Sequence, residues 1–230
     1  MECIILAGGM GTRLQRVVAD RPKCMAPVNG SPFLHYMFDY LEQQECTRVI
    51  LSLGYKHELV IEWLQTQNRP FTIDYVIEQK PLGTGGGIML ALHKATHEYV
   101  IVLNGDTMFR VNLTQLVKFH KSKHAVNTLA LKRMTNFDRY GVVRLDENSR
   151  IVAFEEKKEY AEGLINGGVY VLNRNGLLKK EKPETFSLER DYFEATVAEG
   201  NMYGFECNEY FIDIGIPSDY EQAQKDFESF

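Results

Sequence analysis

Apolar and polar positions fall into two alternating spacings along the first half of the chain. Cys3-Ile4-Ile5-Leu6, Val49-Ile50-Leu51-Ser52-Leu53 and Tyr99-Val100-Ile101-Val102-Leu103 are short, nearly continuous apolar runs, the texture of strands buried on both faces. Between the first two, Phe33, Leu34, Met37, Phe38 and Leu41 recur at i, i+1, i+4, i+5 and i+8, a core-facing helical stripe, with Ser31-Pro32 as expected N-cap and first-turn proline. Tyr55 to Gln67 carries Leu59, Val60, Trp63 and Leu64 at helical spacing, and Phe71, Ile73, Tyr75 and Ile77 alternate as a strand does. Strands alternating with helices predict an α/β fold, a Rossmann-like doubly wound and mostly parallel sheet covered on both faces.

The texture then changes. Leu113, Leu116 and Val117 predict a helix and Asn127 to Leu131 a strand, but Tyr140-Gly141-Val142-Val143, Ile151-Val152-Ala153-Phe154 and Leu164 to Leu172 are strand-like runs joined by short turns such as Asp146-Glu147-Asn148. A mixed, β-rich second half is expected. An amphipathic helix near Ser187 to Ala198, strands at Met202 to Glu206 and Tyr210 to Asp213, and a helix opened by Pro217 complete the chain. We expect one domain over residues 1–230, divided into halves at about residues 1–125 and 126–230.

Composition narrows the function classes. Hydrophobic residues at 44% and charged residues at 25% are ordinary globular values. No apolar run approaches membrane-spanning length, and Met1-Glu2 lacks the basic start of a signal peptide, so a cytoplasmic chain without a membrane partner is expected. A net charge of −5 argues against a general nucleic-acid surface, so any phosphate site must be local. Cys3, Cys24, Cys46 and Cys207 form no C-x-x-C pair and lie on or beside apolar runs, as buried reduced thiols do. His93 with His97 and His120 with His124 have the spacing of a helix face but no third metal ligand nearby, so solvated histidines are the expectation.

Candidate chemistry begins right after the first strand. In Leu6-Ala7-Gly8-Gly9-Met10-Gly11-Thr12-Arg13-Leu14, glycines remove Cβ atoms where backbone N–H groups would close on an anion, and Arg13 adds a charged planar fork for phosphate oxygens. The spacing is neither a dinucleotide fingerprint, whose third glycine would fall on Leu14, nor a P-loop, which needs Gly-Lys followed by Ser or Thr. Pro81-Leu82-Gly83-Thr84-Gly85-Gly86-Gly87 reads as a second glycine-rich turn, before a helix from about Ile88 to Ala95. The third apolar run ends in Asn104-Gly105-Asp106, a carboxylate at the tip of a buried strand that requires a partner. In open α/β sheets such loops line one crevice beyond the carboxyl ends of the strands.

Together with Pro22-Lys23, Phe154-Glu155-Glu156-Lys157, Asn166-Gly167-Gly168-Val169-Tyr170 and Asp213-Ile214-Gly215-Ile216-Pro217-Ser218-Asp219-Tyr220, these blocks resemble the sugar-1-phosphate nucleotidyltransferases along nearly the whole chain. The resemblance is closest to guanylyltransferases acting on D-glycero-α-D-manno-heptose 1-phosphate, and implies the GT-A-like, nucleotide-diphospho-sugar transferase form of the fold. It implies GTP and a sugar 1-phosphate as partners and Mg²⁺ as cofactor, held by Asp106 and Asp213. Arg13, Lys23 and Lys157 are implied as the cations of catalysis. Around the nucleotide it places Leu6, Ala7, Gly8, Gly9, Gly11, Thr12, Arg13, Glu78, Pro81, Gly83, Thr84, Asn104, Gly105 and Asp106, with Glu78 suited to accept from guanine N1–H and N2–H. Around the sugar phosphate it places Gly105, Tyr140, Gly141, Glu156, Lys157, Asn166 and Gly167. Glu156-Lys157 is followed by Lys158 where the family has proline, which leaves open which lysine reaches the ligand. Mannose 1-phosphate, another triphosphate (UTP, CTP or dTTP), or a non-catalytic nucleotide-sugar sensor are the alternatives. No oligomeric state follows from the residues; a homodimer is one option.

Overall fold

The computed structural model describes residues 1–9, 11, 14, 18 and 20–229. Its first half runs β1 (Glu2–Ala7), a 3₁₀ turn at Lys23–Met25, β2 (Pro27–Val28), β3 (Ser31–Pro32), α1 (Phe33–Gln43), β4 (Arg48–Leu53), α2 (His57–Leu64), β5 (Thr72–Ile77), α3 (Gly83–Leu92) and β6 (Tyr99–Asn104). The rest comprises β7 (Thr107–Phe109), α4 (Leu113–Ser122), β8 (Asn127–Phe137), β9 (Val142–Leu145), β10 (Ile151–Glu155), β11 (Tyr160–Asn173), α5 (Arg174–Leu178), a π-helical segment Leu188–Glu194, a 3₁₀ turn Val197–Glu199, β12 (Met202–Glu206), β13 (Phe211–Asp213) and α6 (Pro217–Asp226).

The main sheet is ordered β10-β9-β11-β6-β1-β4-β5, with β8 paired along β11 and β12 along β8. β6, β1, β4 and β5 are mutually parallel, and β11 joins β6 antiparallel, so the expected mixed character enters where the helices thin out. The strand order reverses between β1 and β6, and a crevice opens there beyond their carboxyl ends. Side chains alternate between two cores, which explains the unbroken apolar runs. Cys3 and Ile5 of β1 and Ile101 and Leu103 of β6 face one cluster with α1 and α4, while Ile4, Val100 and Val102 face the other with α3 and α5.

Three local expectations need correction. Gly83 to Gly87 are not a turn but the opening of α3, because segment 184–186 lies against them: a Cβ on Gly85 would enter the Phe186 ring and one on Gly86 would strike the Glu184 carbonyl. Ser31 is not the cap of α1; Ser31-Pro32 form β3, Pro32 holds the cap position, and the Phe33 N–H donates instead to the Ala26 carbonyl at 2.9 Å. The helix expected near 187–198 starts as predicted, with Ser187 Oγ accepting from the Arg190 N–H at 3.2 Å, but proceeds in wide π turns that bury Leu188, Tyr192 and Phe193 together.

All four cysteines are free and buried. The histidine pairs do not share exposed helix faces: α3 ends before His93, and His120 is buried with Nδ1 2.9 Å from Thr128 Oγ1. No helix among the described residues is long and apolar enough to cross a membrane.

Candidate active site

Two cavities open beyond the carboxyl edge of the parallel strands. The larger, about 870 Å³, is walled by Leu6 to Gly9 and Gly11 after β1, by Glu78, Pro81, Gly83 and Thr84 between β5 and α3, and by Asn104 to Asp106 after β6. Every nucleotide-site residue expected from the sequence lines it except Thr12 and Arg13, which lie outside the described residues. The smaller, about 360 Å³, is walled by Tyr140, Gly141, Glu156, Lys157, Asn166 and Gly167, as expected for the sugar phosphate, and by Asp213. Gly105 lines only the larger one. Asn104 lines both, and its buried Oδ1 has no hydrogen-bond partner among the described residues.

Pairing of β13 with β7 brings together two carboxylates far apart in sequence. Asp213 is in register with Thr107, and the Ile214 N–H donates to the Asp106 carbonyl at 3.0 Å. The partner that Asp106 requires is Lys23, whose Nζ is 2.7 Å from Oδ2. Lys23 sits in the 3₁₀ turn that packs on Gly11, where a Cβ would collide with its stem. Asp213 Oδ1 accepts from the Gly215 N–H at 2.8 Å, while Tyr140 Oη stands 3.5 Å and Arg139 Nη2 3.8 Å from Oδ2. Arg139 is held in turn by Asp219. Burial, and next the charge of Asp106, raise the Asp213 carboxyl above its usual range, so the two acids feel each other. Beneath them burial pushes the Cys24 thiol up to about 12, with Asp106 adding to it, which leaves that group neutral and unreactive.

Glu78 already serves the fold. Oε2 accepts from the Leu82 N–H at the start of α3 at 3.1 Å, and Oε1 accepts from Ser52 Oγ at 3.1 Å. Gly8 lies so close that a Cβ there would sit 2.6 Å from Oε1, so the glycine makes room for this carboxylate. A carboxylate has about four lone-pair positions, so two remain for the cavity. At the second basic motif, Lys157 lines the smaller cavity, whereas Lys158 Nζ lies 5.1 Å from the centre of the Tyr160 ring. Asn166 Nδ2 donates to Tyr170 Oη at 3.0 Å and its Oδ1 accepts from the Gly168 N–H at 3.0 Å.

Sequence reasoning missed Glu189 and Glu194 on the wall of the smaller cavity, and Arg139 behind Asp213. The two glutamates read as ordinary polar positions of an amphipathic helix, and five residues apart they would lie on different faces of an α-helix. The wider turn of the π segment sets both on the cavity wall.

A sheet with its strand-order reversal beneath a glycine loop, and a divided crevice with Lys23 and Asp106 on one wall and Lys157 and Asp213 on the other, suits the transfer of a phosphate-bearing group between two anions. The chain belongs to the nucleotidyl transferase family, whose model matches residues 2–229. It is 48% identical over 230 residues to the D-glycero-alpha-D-manno-heptose 1-phosphate guanylyltransferase of Aneurinibacillus thermoaerophilus, covering 100% of both chains. To the protein of that name from Campylobacter jejuni it is 43% identical over 220 residues, covering 96% of this chain and 97% of the other. The crystal structure of HddC from Yersinia pseudotuberculosis complexed with GMP-PN superposes with a TM-score of 0.87 at 34% identity, covering 98% of this chain and 99% of that one.

Proposed function

We propose that this chain is a guanylyltransferase that joins GTP to D-glycero-α-D-manno-heptose 1-phosphate, giving GDP-heptose and pyrophosphate. The observation that carries the reading is the division of the crevice into a nucleotide-sized and a sugar-sized cavity that meet at Asn104, with Asp106 on one side and Asp213 on the other. The full-length relatives named above support the choice of base and sugar.

In this reading a sugar-phosphate oxygen attacks the α-phosphorus in line, the bond to the β-phosphate oxygen breaks, and pyrophosphate leaves. No covalent nucleophile is needed; the protein gathers two anions and meets charge as it spreads. In this reading Lys23, on the wall of the larger cavity, serves the α-phosphate and Lys157, on the wall of the smaller, serves the sugar phosphate, each as a mobile point charge. Arg13 belongs to the leaving β- and γ-phosphates on the strength of its motif. Glu78 presents its two remaining acceptor positions to guanine N1–H and N2–H, a pairing that uracil and thymine lack. Glu156 and Asn166, with Tyr140, Gly141 and Gly167, frame the sugar hydroxyls.

Asp106 and Asp213 fit a Mg²⁺ ion: both are hard oxygen donors, and burial with the charge of Asp106 raises the cost of ionising Asp213, a cost that a divalent cation offsets. Bound there, the ion would neutralise triphosphate charge and orient the α-phosphate. Nucleotide-facing residues come from the first half of the chain and most sugar-facing residues from the second, which fits a division of labour near residue 125.

A panel of triphosphates against sugar 1-phosphates, with Mg²⁺ and pyrophosphate release as readout, tests the reading. GTP with the heptose 1-phosphate is expected to give the highest kcat/KM. Release with UTP, CTP or dTTP but not GTP rejects the base, and preference for mannose 1-phosphate rejects the sugar. Nucleotide-sugar binding without turnover for any pair identifies a sensor instead.

A further inference from the structure

A chain of hydrogen bonds joins the walls of the two cavities behind the reacting groups. Thr84, on the larger cavity, donates its hydroxyl to Glu189 Oε2 at 2.7 Å, and Ser187 Oγ donates to the same oxygen at 3.0 Å. Glu189 Oε1 accepts from Tyr170 Oη at 3.2 Å, and Tyr170 Oη accepts from Asn166 Nδ2 at 3.0 Å. Glu189, Tyr170 and Asn166 all line the smaller cavity. Backbone bonds brace the bridge: the Leu188 N–H donates to Thr84 Oγ1 at 2.9 Å, the Gly85 N–H to the Phe186 carbonyl at 3.0 Å, and the Phe186 N–H to the Leu82 carbonyl at 3.0 Å.

A carboxylate suits the centre of this bridge because it is acceptor-only and meets three hydroxyl donors at once. Tyr170 is 1% exposed, and its hydroxyl is held between Asn166 and Glu189. The glycines that open α3 let segment 184–186 approach closely enough for Thr84 and Glu189 to meet.

We propose that Glu189 is a positioning residue for nucleotidyl transfer, holding the Thr84 wall and the Asn166 wall at one separation so that the two bound phosphates meet in line. The proposal rests on the transfer reaction given above. With no covalent intermediate, the distance between the substrates falls directly into the barrier, and a misplacement of about 1 Å costs roughly 100-fold in rate. Glu189→Gln leaves in place the groups assigned to each substrate. Loss of the bridge therefore acts on kcat rather than on KM.

The test is steady-state kinetics of Glu189→Gln, Thr84→Val and the double variant beside the wild type, with GTP, the heptose 1-phosphate and Mg²⁺, plus calorimetry of GTP binding and thermal melts. Glu189→Gln turns one acceptor into a donor facing hydroxyl donors. Its kcat is expected to fall about 10- to 100-fold, with both KM values and the GTP affinity within about threefold of wild type. The double variant is expected to be no slower than Glu189→Gln alone, since both changes cut one bridge. A kcat within twofold of wild type overturns the proposal, as does a lowered Tm with kcat per folded site retained, the mark of a purely structural role. If Glu189→Gln does not fold, Tyr170→Phe, which removes one hydroxyl, carries the same expectation. If the wild type turns over neither this pair nor any other, the transfer reading itself has failed, and the bridge proposal falls with it.

Discussion

Lys157 and Lys158 are neighbours of identical chemistry, yet only Lys157 lines the smaller cavity, while Lys158 rests on the Tyr160 ring. The sequence offered no way to choose between them, because the proline that would shape the turn is absent. A charge-assisted hydrogen bond contributes about 1.5–3 kcal/mol, so Lys157→Met is expected to lower kcat/KM for the sugar phosphate by roughly 10- to 100-fold. Lys158→Met should stay within about twofold in the same kinetic assay; equal losses in both would move the ligand-facing charge off Lys157. Glu78→Gln addresses the base: it is expected to narrow the preference for GTP over UTP in a competition assay, because an amide accepts through one oxygen only. An unchanged preference would leave Glu78 as a brace for α3 through Leu82. Lys23, Asp106 and Asp213 were legible because each sits in a short motif at a strand or turn end. Glu189 was not, because its partner Thr84 is 105 residues away and no local spacing marks the pair.

Among the elements, β1, β4 and β6 were legible almost to the residue, since each is a nearly unbroken apolar run that ends in glycine or a polar cluster, while the edge strand β5 showed itself by alternation. α3 was not: five residues from Gly83 to Gly87, four of them glycine, read as a loop by propensity, and only contacts with segment 184–186 make them helical. Propensity and packing now pull Gly85→Ala in opposite directions. Alanine in a helix gains about 1 kcal/mol over glycine, but its methyl would enter the Phe186 ring, and overpacking of this kind costs about 1–3 kcal/mol. The net expectation is a modest loss of stability by urea unfolding. Gly85→Ala combined with Phe186→Leu should be less destabilised than the two single changes added, since a smaller side chain relieves the clash. Strict additivity would mean that the ring and the helix do not press on one another.

Over the whole molecule, acid sensitivity is set partly on the opposite side of the fold from the site's chemistry, by His120 of α4. Its ring is fully buried, with Nδ1 2.9 Å from Thr128 Oγ1, the Tyr99 ring edge-on at 4.9 Å, and Nε2 buried without a partner among the described residues. Burial, and then the charge of Lys121, lower its pKa from 6.5 to about 4. The unfolded chain therefore takes up the proton first. Stability is fully present above about pH 6.5 and is lost progressively as pH falls toward 4, by about 3 kcal/mol in all. Glu2 adds a loss of the same sign lower down. Burial pushes its carboxyl up, but the His97 and Thr96 N–H groups and Arg48 outweigh that and hold it below its usual 4.5, so its contribution fades only as pH falls beneath that value. The raised carboxyls of Asp213 and Glu194 act with the opposite sign, so the histidine's share is the difference between wild type and His120→Gln. Unfolding free energies measured by urea titration between about pH 6.5 and 5 are expected to fall more steeply with pH for the wild type than for His120→Gln. The slope is the readout, so the variant's own loss of packing does not enter. Equal slopes would mean that the ring gains its proton as readily folded as unfolded, which a solvent path to Nε2 would permit.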